Sequence, residues 1–133
     1  MADPPRFLTP EPLHEWHKKI WDHTVQWAIN IMGADELDFR FSVLQLSIGY
    51  QHFWEGISHL RHVTGRTQRD IQKSLIAVIA GSAPPGMVIV IHALLDFCYL
   101  TQAPELDNND CNALSSLLHT FYKHKVHVIK AGG

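Results

Sequence analysis

Apolar residues crowd most densely between Ile71 and Leu100, as two runs, IQKSLIAVIA and MVIVIHALLDFCYL, separated by GSAPPG. In each run the apolar side chains occupy all sides of a helical wheel, which is the pattern of a buried helix. The spacing therefore predicts a helical hairpin over 71–100 around which the rest of the chain packs. Gly81 is suited to ending the first helix, Ser82 to capping the second, and Pro84-Pro85 to its first turn, where a missing N–H costs nothing. The run from Met87 to Leu100 contains His92 and Asp96. It falls short of the roughly 20 apolar residues a membrane span needs, so no membrane is expected as a partner.

Upstream, Thr9-Pro10-Glu11-Pro12 reads as a helix start, with prolines confined to the first turn and a carboxylate near the positive end of the dipole. The predicted helix runs to about Met32, where Gly33 ends it. Leu13, Trp16, Ile20, Thr24, Trp27 and Ile31 form its core stripe, and Trp21 and Val25 widen the apolar face. A face that broad, carrying both Trp16 and Trp21, is read as a subunit contact or a deep core. Residues 1–8, with Pro4, Pro5, Phe7 and Leu8, read as an extended arm before a single helical domain over 9–133.

Asp35 is placed to cap a shorter helix from Glu36 to about Leu46. Leu37, Phe39, Phe41 and Val43 also alternate with period two, but a lone strand has no partner elsewhere, which favours helix. From Gln51 to Val63, helical spacing sets Phe53, Ile57 and Leu60 on one face and His52, Glu55, His59 and His62 on the other. Thr67-Gln68-Arg69-Asp70 has capping-box spacing with Asp in the usual Glu place. After the hairpin, Pro104 and Asp107-Asn108-Asn109-Asp110 make a loop with a choice of caps. In the last helix Leu114, Leu118, Phe121 and Val128 are set inward and His119, Lys123, His124, His127 and Lys130 largely outward. The expected fold is all-α, a compact bundle of five or six helices.

Composition narrows the function classes. The 133 residues suffice for one core, and 46% hydrophobic with 18% charged residues is a globular balance. A net charge of −2, with 10 histidines left uncounted, gives no field for attracting phosphate backbones, so DNA binding is expected to be weak at most. Lys18, Lys19, Arg61, Arg66, Arg69 and Lys73 would carry it. The N-terminus MADPPRF has no basic stretch leading into an apolar core, so an intracellular location is expected. Cys98 and Cys111 form neither a CxxC motif nor a disulfide framework.

The order of motifs resembles a known family. LTPEPLHEWHKKIWDH, ELDFRFSVLQ, GYQHFWEGISHLRHVTGRTQRD, AVIAG, IHALLDFCYLTQAP and FYKHKVHVIKAGG resemble, over nearly the whole chain, the later part of Plavaka-type transposases, fungal relatives of the CACTA elements. The resemblance implies a ribonuclease-H-like ancestry in which carboxylates hold two divalent metals for DNA strand transfer. Glu11 would be the matching metal carboxylate, and His14 and His17 match as well. The family's Arg-Glu-His-Arg stands here as Arg66-Thr67-Gln68-Arg69, and Gln51, His92 and Cys98 replace expected arginines. The sheet carrying the family's first catalytic carboxylate would precede residue 1. Strand transfer by this chain alone is therefore not expected, and a domesticated binding module is.

Three groups of side chains carry candidate chemistry. His14 and His17 lie at i and i+3, not the i and i+4 of zinc proteases. With Glu11 they could converge on a divalent metal, but a helix-start carboxylate with two partly buried histidines is the commoner arrangement, and no cofactor is assigned. His92 and Asp96, four apart on a buried helix, could form an acid/base pair or a structural one. His52, Glu55 and His59, with His62 beside them, could bind one ligand or form a solvated face. Two functions follow: an interaction module, as a homodimer or with a protein partner, or a small-molecule isomerase or cyclase. The second would use His92 and Asp96 on an apolar ligand.

Overall fold

The computed structural model describes the backbone of residues 10–44 and 48–132, and their side chains from Lys18 on. The arm expected over 1–8 and the helix end expected at Gln45 and Leu46 lie outside the described residues. The fold is all-α: α1 (Pro10–Met32), α2 (Ala34–Val43), α3 (Gly65–Ile79), α4 (Pro85–Leu100), α5 (Asn108–His124) and the short α6 (Val126–Lys130), with no strand among the described residues. Between α2 and α3 the described chain is a long irregular loop.

One core joins these elements. Trp21, Val25 and Ala28 of α1 meet Leu37 and Phe41 of α2, Ile71, Leu75 and Ile79 of α3, and Met87, Val90, Ile91 and Leu95 of α4. The inward stripe of α1 is thus centred on Trp21, Thr24, Val25 and Ala28, while Ile20, Trp27 and Ile31 lie at its half-buried margins. Trp21 belongs to the core and offers no subunit contact. In α2 the helical period wins over alternation, since Leu37 and Phe41 are buried and Phe39 and Val43 are exposed. Gly33, at φ 84°, makes the sharp turn between α1 and α2 that side-chain-bearing residues resist.

The hairpin of α3 and α4 forms, but neither helix is buried all round. Lys73 and Ala77 of α3 and Ile89, His92 and Tyr99 of α4 face solvent. The apolar excess of α4 has a second cause: its far side packs along α5 in the most extensive helix pairing of the molecule. The caps also differ from expectation. α4 begins at Pro85 after Pro84, with no side-chain cap, so Ser82 stays in the turn. Asp35 sits in the first turn of α2 rather than capping it. Thr64, not Thr67, caps α3 and accepts from the Thr67 N–H at 3.2 Å. At α5 a complete capping box forms between Asp107 and Asp110.

Candidate functional site

The segment 51–63 is not a helix. It is a loop tied down by carboxylates that periodicity did not reveal. Asp38, on α2, accepts from the N–H groups of Ile57 and Ser58 at 2.7 and 2.8 Å and from the Ser58 hydroxyl. Asp70, buried on α3, accepts from the Gln51 N–H at 3.3 Å, instead of closing a capping box. Gly56 lies against the Asp38 side chain with φ 80°, so a Cβ there would meet both strain and a clash. Anchored in this way, the loop drives Phe53 and Ile57 into the core, with the Phe53 ring edge-on to Phe41.

The predicted histidine face is consequently dispersed. His52 is half-buried, its Nε2 at 2.8 Å from the Ser42 carbonyl, while Glu55, His59 and His62 are exposed along the loop. Among the described residues, no three His, Cys, Asp or Glu side chains converge on a metal position. The side chains of Glu11, His14, Trp16 and His17, in the first turns of α1, lie outside those described.

His92 and Asp96 do meet, Nδ1 to Oδ2 at 3.6 Å, but with 61% and 46% of their side chains exposed. The expectation of a buried pair is corrected: both face water, where such a pair is weakly bound. Asp96 also borders an open groove of about 670 Å³ between α4 and α5, with Tyr99, Leu100, Ala113, Leu117 and Thr120. His92 does not line it. Two of the substituted positions meet, since Thr67 donates to the Gln51 amide oxygen at 3.0 Å, and Gln68 is buried. Burial pushes the Cys98 thiol up to about 11.

Among the polar residues that the loop exposes stands one large apolar side chain, Trp54. Trp54 is 77% exposed with its ring edge on His52, and His52 bonds Ser42 of α2. On α2 itself Phe39 and Val43, one turn apart, are 60% and 57% exposed. On the same helix Arg40 pairs with Glu36 at 2.6 Å and donates to the Val78 carbonyl at 2.9 Å. That second bond joins α2 to the negative end of α3. The sequence signal for this surface is the pair Phe39 and Val43, turned outward by the helical period of α2, with Trp54, whose exposure the loop's path decides.

No protein-family model, curated protein or solved structure matches the chain. No helix among the described residues is long and apolar enough to cross a membrane.

Proposed function

We propose that the chain is a transposase-derived helical domain that no longer transfers DNA strands and acts as an interaction module, pairing with a second copy of itself. The descent rests on the motif series from LTPEPLHEWHKKIWDH to FYKHKVHVIKAGG. Loss of strand transfer is supported by Thr67 and Gln68, which stand where the family has an acid and a histidine and here secure the start of α3 and its adjoining loop.

The observation that carries the pairing is the exposure of Phe39 and Val43 on α2 and of Trp54 on the loop that Asp38 and Ser42 of α2 hold. Fixed aromatic side chains lose little entropy on contact and are the usual anchors of interfaces. Arg40 and Glu36 neutralise each other on the same helix, and a two-fold contact sets the same patch of each copy against the other.

Sedimentation of the full chain over a concentration series tests this. A monomer–dimer equilibrium is expected, weakened at least about tenfold by the double substitution Phe39→Ser and Trp54→Ser, with the far-ultraviolet circular dichroism unchanged. A monomer at every concentration, or a variant that associates as well as the parent, overturns the reading.

A further inference from the structure

The last two helices carry a second apolar surface of different character. Leu118, Tyr122, Val126 and Ile129 follow one another at intervals of four, four and three, so they fall on one side of a continuous helix. The break between α5 and α6 does not interrupt that line. Lys125 keeps helical angles, its N–H donates to the Phe121 carbonyl at 2.8 Å, and its carbonyl accepts from Val128 and Ile129 at 3.1 and 3.2 Å. All four stripe residues are between 42% and 64% exposed, while Val128 is buried and Phe121 packs on the core. The stripe therefore faces away from the molecule.

Its borders are cationic. The Lys125 ammonium lies over the Tyr122 ring, 5.0 Å from its centroid, on one side. Helical spacing places His119, Lys123 and Lys130 along the other. Residues 111–130 contain no Asp or Glu, in a chain whose net charge is −2. Apolar residues scattered singly over a surface need no explanation; four in a line between lysines are not scattered. A second copy seated on this ridge would set lysine against lysine with no carboxylate between, which is costly at an interface. The stripe is one side chain wide and about 16 Å long from its first residue to its last, the seam of a single helix rather than a surface for immersion in lipid.

We infer that the α5–α6 ridge docks an acidic amphipathic helix of a protein partner, its apolar anchors along Leu118 to Ile129 and its carboxylates on Lys123, Lys125 and Lys130. The inference rests on the interaction-module reading but uses a different surface, carried by α5 and α6, and a different occupant. Such a partner reads the ridge as a helix reads a groove edge, by anchors one turn apart, with charge selecting the orientation.

Cys111 supplies the reporter. It is exposed one heptad before Leu118, whereas Cys98 is buried and its raised thiol stays protonated and unreactive at neutral pH. The full chain, labelled at Cys111 with an environment-sensitive maleimide, is titrated with a designed helical peptide carrying a leucine stripe bordered by glutamates. A lysine-bordered counterpart, phosphatidylserine vesicles and duplex DNA serve as the other probes. Saturable binding of the glutamate peptide is expected, weakened at least about tenfold by Lys123→Gln, Lys125→Gln and Lys130→Gln together, and again by Tyr122→Ala. Absent binding, equal binding of the lysine peptide, or tighter binding of vesicles or DNA overturns the inference. Self-association is measured on the same samples. If dimers persist without peptide binding, the ridge inference fails alone; if the peptide binds a permanent monomer, the pairing through α2 fails alone.

Discussion

The α2–loop face and the α5–α6 ridge both expose large apolar side chains, but they are held in place by different means. Trp54 owes its position to distant groups: Asp38 and Asp70 hold the loop from two helices, and His52 links it to Ser42. Leu118, Tyr122, Val126 and Ile129 owe theirs to local backbone bonding and a capping box at Asp107. The first surface is thus part of the core's tertiary structure, and the second is carried by a helix pair packed on its outside. A surface made by a folded loop therefore fails with the fold, whereas one made by a helix end frays.

The largest effect expected from breaking this contrast comes from Asp38→Ala. It leaves the N–H groups of Ile57 and Ser58 without their acceptor and loosens the seats of Phe53 and Ile57. A loss of about 3 kcal/mol in urea unfolding is expected, together with loss of self-association, while binding at the ridge is unchanged in the folded fraction. Asp107→Ala acts on the other surface. It removes the capping box, costs about 1 kcal/mol, and increases amide exchange in the first turn of α5 with no change at Trp54. Smallest is His92→Ala, which touches neither surface. Its exposed pair with Asp96 predicts a change under about 0.5 kcal/mol, and a larger loss would show that His92 has a role the geometry does not express.

The legibility of the sequence divides along the same line. Where the local pattern of apolar residues decides the element, as in α1, α3, α4 and α5, the helices lie close to where that pattern puts them. The capping choice at Asp107 to Asp110 is legible because it is local. The loop misleads because Phe53, Ile57 and Leu60 imitate a helical stripe, and two of them are buried for another reason. Gly56, at positive φ beside Asp38, is the residue that breaks the imitation, but its meaning depends on a carboxylate 18 positions upstream. In the last helix the period sets Leu118 inward; the structure turns it to solvent, with Leu114, Leu117 and Phe121 half-buried and Phe121 against the core. The all-round apolarity of α4 suggests depth, but it reflects neighbours on two sides.

The Asp38 attachment also has a consequence for the order of assembly. Its two amide partners lie 19 and 20 residues away, so each bond closes a long excursion of chain, and the entropy of that closure must be spent before the carboxylate is reached. The contacts within α3 and α4 and across their turn are short in sequence and form without that cost. The helical hairpin is therefore expected early and the loop late. Interactions made after the folding barrier slow unfolding rather than speed folding, which makes Asp38 a latch governing the lifetime of the native state more than the time needed to reach it.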